Sequence, residues 1–139
     1  MDIYKLLKND HDKVKKILSK LQHKKDLKLF EELKKEVIAH SEAEEKVFYE
    51  PLQDRAGELK IIVKTGHKEH DSTMNMLRQL DKIDDEGWSK LFSVIKKSLE
   101  AHILMEEEDI FDLAKKHFSA SEAKQMAEDM TKAKENYCQ

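Results

Sequence analysis

The chain has 139 residues, of which 40% are charged, and a formal net charge of −3. That length buries one core without a disulfide or metal staple, and charges of both signs interleaved along it leave no basic face for nucleic acid and no polybasic tail for a membrane. No apolar run approaches the ~20 residues that span a bilayer, MDIYKLLKND has no signal-peptide pattern, and the single Cys138 has no internal partner, so a reducing cytoplasm is the expected setting.

Three Gly and one Pro leave few breakers, and apolar residues recur every three or four positions, which predicts an all-α protein. The first stripe runs Ile3, Leu7, His11, Val14, Leu18, Leu21, and the second Phe30, Leu33, Val37, His40, Glu44, Val47. The third runs Leu59, Val63, Gly66, His70, Met74, Leu77, Leu80, and the fourth Trp88, Phe92, Ile95, Leu99, His102, Glu106, Ile110, Leu113. Turn formers cluster at His23 to Asp26, Pro51 to Gly57 and Asp84 to Gly87, which sets the breaks. Connections this short favour antiparallel neighbours, so the expected fold is an up-down-up-down four-helix bundle forming a single domain over residues 1–139. Ser119-Ala-Ser-Glu122 is a capping box that opens a short additional C-terminal helix, expected to cover one flank.

Histidine and glutamate interrupt these stripes in a repeated pattern. His11 and His40-x3-Glu44 return as His70 and His102-x3-Glu106, at offsets of 59 and 62 residues. KNDHDKVKKIL (Lys8 to Leu18) shares His, Asp and the final Leu in register with HKEHDSTMNML (His67 to Leu77), and AHSEAEEKVFYE (Ala39 to Glu50) shares Ala, His, the Glu-Glu pair and a following apolar pair with AHILMEEEDIFD (Ala101 to Asp112). Counted from the predicted turns, the four histidines lie at nearly equal heights, given about 1.5 Å of rise per residue. Glu44 and Glu106 each lie one turn further along the same face.

Four imidazoles and two carboxylates in one apolar layer suit two adjacent divalent metals. His11, His40, His70 and His102 would be terminal ligands, with Glu44 and Glu106 as bridges. Two buried carboxylates with no Lys or Arg on the stripes call for a cation to neutralise them. Six protein ligands leave open positions for a small exogenous molecule, which favours redox-active iron over structural zinc. Ligand type alone leaves Mn and Zn open.

These residues, with the surrounding HSEAEEKVFYEPL and HILMEEEDIFDLAKKHFSASE, resemble the hemerythrin-like HHE cation-binding family over essentially the whole chain. The resemblance implies a four-helix bundle around a non-haem di-iron centre with an oxo or hydroxo bridge. It also implies one of several roles: oxygen carriage, iron or oxygen sensing, action on nitric oxide or peroxide, or donation of iron for iron–sulfur repair. The oxygen carriers of the family have His-x3-His on the third helix and an aspartate as second bridge. Here Gly66 stands four residues before His70, the extra imidazole is His67, and the second bridge is Glu106.

Two functions are therefore expected in competition. One is a di-iron protein that binds or reacts with O2, peroxide or NO; the other is an iron sensor or donor whose metal occupancy controls stability or a protein partner. Charged helix faces predict a monomer or weak dimer. Around the site, His67 either reaches a metal or lines its approach, and Glu45 and Glu107 either support the ligands or are solvated. Tyr4 and Tyr49 are expected to pack, with a hydrogen bond to the cluster as the alternative, and the methionines to fill core or flank. His23, His117, Asp12 and Asp71 are expected to stay away from the centre, and Cys138 to be a tail thiol.

Overall fold

A computed structural model describes residues 1–137, so Cys138 lies outside the described residues. Short polar side chains start most of the helices by satisfying the free N–H groups of a first turn. Asp2 accepts from Lys5 N–H ahead of α1 (Ile3–His23), and Asp26 accepts from Leu29 N–H ahead of α2 (Leu27–Glu44).

A π turn, Glu45–Tyr49, then continues α2 into α3 (Glu50–Arg55). Ala56 breaks the rod with extended backbone, and a 3-10 turn, Gly57–Leu59, leads into α4 (Lys60–Leu80). Asp84 caps α5 (Asp85–Met105), which passes through a second π turn, Glu106–Ile110, into α6 (Phe111–Lys115). Ser119 and Glu122 form the reciprocal capping box expected at the start of α7 (Ala120–Tyr137), with bonds of 3.1 and 3.0 Å. With the π turns counted as continuations, the described residues form five helical rods and no strand.

Two expectations are corrected. The break placed at Pro51 to Gly57 begins only at Ala56: Pro51 directly follows the π turn, its fixed φ fits a helix, and the rod continues through it to Arg55. The second correction concerns the apolar stripes beyond Glu44 and Glu106. Each π turn closes an i to i+5 bond, Glu50 N–H to Glu45 O and Phe111 N–H to Glu106 O, and so accommodates one extra residue. That residue rotates everything after it by about 100° relative to an unbroken α-helix. Val47 and Leu113 are consequently only half-buried, while Phe48, Tyr49, Phe111 and Ala114 enter the core.

Helix α1 packs against α2, α5 and α7, α4 against α5, and α2 against α7. Two apolar clusters result. One gathers Ile3, Leu7, Phe48, Leu52, Val63 and Phe111, and the other Val14, Leu18, Phe30, Leu33, Leu77 and Ile95. His11, His40, Glu44, His70, His102 and Glu106 fall along their rods between members of one cluster and members of the other. Each large apolar side chain so buried contributes about 1.5–3 kcal/mol, which offsets the cost of holding a polar layer away from water.

Candidate metal centre

The residues singled out by the repeat meet in that layer. His11, His40, Glu44 and Glu106 each offer a ligand atom within 4.8 Å of the others, and so do Glu44, His70, His102 and Glu106. All six are buried, and Glu44 and Glu106 are fully enclosed. The two groups share both glutamates, which places two potential cation positions side by side.

The carboxylates are oriented to serve both positions. Glu44 turns Oε2 toward His40 Nε2 at 3.3 Å and Oε1 toward His70 Nε2 at 3.1 Å. Glu106 turns Oε1 toward His11 Nε2 at 3.1 Å and Oε2 toward His102 Nε2 at 3.4 Å. Each glutamate thus spans one histidine from the first half of the chain and one from the second. These approaches lack hydrogen-bonding geometry. Among the described residues, Nε2 of His11, His70 and His102, both oxygens of Glu44, and Oε1 of Glu106 are buried with no hydrogen-bond partner. Orphaned polar atoms of this kind are costly, and a cation at their meeting point satisfies them together.

The opposite nitrogen of every ring is held from behind by a carboxylate. His11 Nδ1 lies 2.7 Å from Glu107, His40 Nδ1 3.0 Å from Asp10, His70 Nδ1 3.3 Å from Glu45 and His102 Nδ1 2.9 Å from Glu69. An Nδ1–H donated to such a carboxylate leaves Nε2 with its lone pair toward the centre and makes the ring a stronger base. Asp10 is itself held by Lys134 of α7 at 2.9 Å, and Lys134 also reaches Glu36 at 3.0 Å.

The electrostatics follow from this crowding of acids. Burial alone would depress the His40 imidazole, but the Glu44 charge and the contacts with Asp10 and Glu44 push it up to about 10. Burial likewise opposes protonation of His102, which contacts with Glu106 and Glu69 push up to about 10. His70 also moves up against burial, through Glu44 and Glu45. Burial would raise the Glu106 carboxyl, yet His102 and His11 hold it well below the usual carboxylate range. The layer is therefore strongly attractive to positive charge.

Several residues answer questions left open by the sequence. Glu45 and Glu107 support ligand-type histidines rather than facing only water. His67 is exposed and bonds through Nδ1 to Glu45, so it stands behind His70 and outside the converging atoms. Tyr49 is buried and donates its hydroxyl to Glu106 Oε2, while its ring stacks on His70 at 5.3 Å with planes 5° apart. Tyr4 packs against Phe48 and Phe111. Met74, Met126 and Met130 are buried, whereas Asp12, Asp71 and His23 are exposed, and His117 lies near Glu58 at 3.7 Å.

Asp10 and Glu69 were missed from the sequence. Their signal was an acid immediately before the first histidine of each repeat, hidden because its target is the histidine of a different helix. Lys134 had no local signal at all.

Beside the four histidines lies a cavity of about 20 Å³, walled by Val14, Val37, Leu99 and Ile103 with Ser41 and Thr73 as its other polar members. No helix among the described residues is long and apolar enough to cross a membrane. No curated protein and no solved structure matches the chain. The family profile described as Hemerythrin HHE cation binding domain matches residues 2–114, which contain every converging His and Glu. The chain therefore belongs to the hemerythrin HHE cation-binding domain family.

Proposed function

We propose that this is a non-haem di-iron protein that binds or reacts with a small oxidant, O2, peroxide or NO. In this reading His11 and His40 would hold one iron, His70 and His102 the other, with Glu44 and Glu106 available to both, within an up-down-up-down four-helix bundle. The observation that carries it is the set of buried, unpartnered Nε2 and carboxylate oxygen atoms aimed at two adjoining points. A metal pair would supply Lewis acidity and electrons to a bound small molecule.

The chain's own residues prepare the place for it. The carboxylates behind the histidines keep each Nε2 free for a metal, and the buried glutamates offset the charge of two cations. The mostly apolar cavity beside the histidines has room for about one water-sized molecule and excludes larger ones, which suits a diatomic.

A second reading is an iron sensor or donor. It is favoured by Lys134, which ties α7 to the Asp10 that supports His40, so that occupancy of the centre and docking of a surface helix share one ion-pair cluster. The test is metal analysis and optical spectroscopy on anaerobically purified protein, followed by titration with O2, peroxide and NO. About two irons per chain, as the bridging arrangement requires, with a spectrum that changes on titration, support the first reading. Iron that reacts with none of the three but transfers readily to an acceptor supports the second. Protein that takes up no metal refutes both.

A further inference from the structure

The two halves of the site are related by the sequence repeat, and that repeat exposes one pair that does not match. Tyr49 occupies the place in the first half that Phe111 occupies in the second, each nine residues after the ligand-type histidine of its rod. Both rings do the same packing work. Tyr49 stacks on His70 at 5.3 Å and 5°, and Phe111 stacks on His11 at 6.3 Å and 13°. Only Tyr49 carries a hydroxyl, and it donates to Glu106 Oε2. The consequence appears in the glutamates: both oxygens of Glu44 lack a hydrogen-bond partner among the described residues, whereas on Glu106 only Oε1 does.

The backbone has made room for this hydroxyl. A Cβ on Gly66 would lie 2.9 Å from Tyr49 Cε2 and 3.0 Å from its oxygen, too close for any other residue while the ring keeps its place. The position related to Gly66 by the repeat is Leu7, a buried leucine.

We infer that Tyr49 makes the two cation positions unequal, with the one held by His70 and His102 the weaker and more exchangeable. This rests on the two-metal reading above. Glu106 Oε2 is the oxygen turned toward His102, so the phenol draws charge from the donor atom serving that position. The hydrogen bond could also orient Glu106 and so strengthen its binding. That effect is the smaller one, because Glu106 is fully enclosed and already oriented by its rod. Solvent access does not make the difference, since each ring borders a surface groove, of about 350 Å³ beside Tyr49 and about 270 Å³ beside Phe111.

The test uses cobalt(II) as the probe, loaded into the full chain without oxygen and withdrawn by excess EDTA while the cobalt visible bands are followed. Wild-type protein should release its two cobalt ions in two phases separated by about tenfold, the scale of one hydrogen bond to a charged group. Tyr49→Phe, which keeps the ring and removes the hydroxyl, should slow the fast phase and narrow the separation. Gly66→Ala, which displaces the ring, should also narrow it, and if it fails to fold Tyr49→Phe still decides. Single-phase release by the wild type, or an unchanged separation in Tyr49→Phe, overturns the inference while leaving the two-metal reading intact. Failure of the wild type to take up a cobalt pair removes both.

Discussion

The half of the centre containing His11 and His40 and the half containing His70 and His102 present the same residue types inward and differ in what stands behind them. Behind His40, Asp10 is mostly enclosed, with its side chain 12% exposed, and is bonded to Lys134 of α7. Behind His102, the equivalent Glu69 is 36% exposed and no lysine or arginine is bonded to it among the described residues. Behind His70, Glu45 also binds the exposed His67, while Glu107 behind His11 has no such second imidazole among the described residues. The inner residues give both halves the same donor types. The outer ones differ in burial and in the groups that hold them.

The strongest break in the comparison removes what the halves share. Glu44→Gln takes a charged oxygen donor from both positions at once, and metal analysis after desalting should show loss of the pair rather than of one ion. Retention of two tightly bound ions would refute the sharing of Glu44.

Removing an outer support should instead separate the halves. Asp10→Asn should weaken the position served by His40, and Glu69→Gln the one served by His102, each by about 10- to 100-fold in metal affinity. The more enclosed Asp10 should give the larger loss in calorimetric titration, because water replaces a buried acceptor less readily than an exposed one. Equal losses would mean that burial of the support is immaterial.

pH probes what the halves have in common when no metal is present. His40 and His102 are both pushed up to about 10, so in metal-free protein their protonation stabilises the fold fully below the ordinary histidine value of about 6.5. That contribution is lost as pH rises through about 10. A bound metal needs the deprotonated rings, so the rise in melting temperature on metal loading should grow from pH 6.5 toward pH 10. A metal-induced shift that is flat across this range would show that protons and metal do not compete there.

Lys134→Ala has the smallest expected effect and sharpens the asymmetry directly. It leaves Asp10 and Glu36 without a shared cation, and since the lysine is only partly buried the cost should be about 1–2 kcal/mol, read from the urea midpoint. No change would mean that Lys13, already 3.2 Å from Glu36, compensates.

Much of this architecture was legible in residue spacing. Helical periodicity located the rods, and one pattern repeated at two offsets picked out His11, His40, Glu44, His70, His102 and Glu106, all of which converge. Spacing could do this because residues three or four apart share a helix face, so the burial of one predicts the burial of the next. The same logic failed beyond Glu44 and Glu106. A π turn leaves no distinctive local pattern, and extrapolating the α-helical period through it favoured Val47 and Leu113 over Tyr49 and Phe111.

Local sequence therefore supplied the inward residue types and their order along each rod. Tertiary packing decided that Asp10 and Glu69 serve histidines on other helices, that Lys134 joins the cluster from α7, and that Tyr49 lies against Gly66 with its hydroxyl on Glu106. These contacts join residues 17 to 124 positions apart, on different rods, and no periodicity within a single helix carries information about which side chains meet between rods.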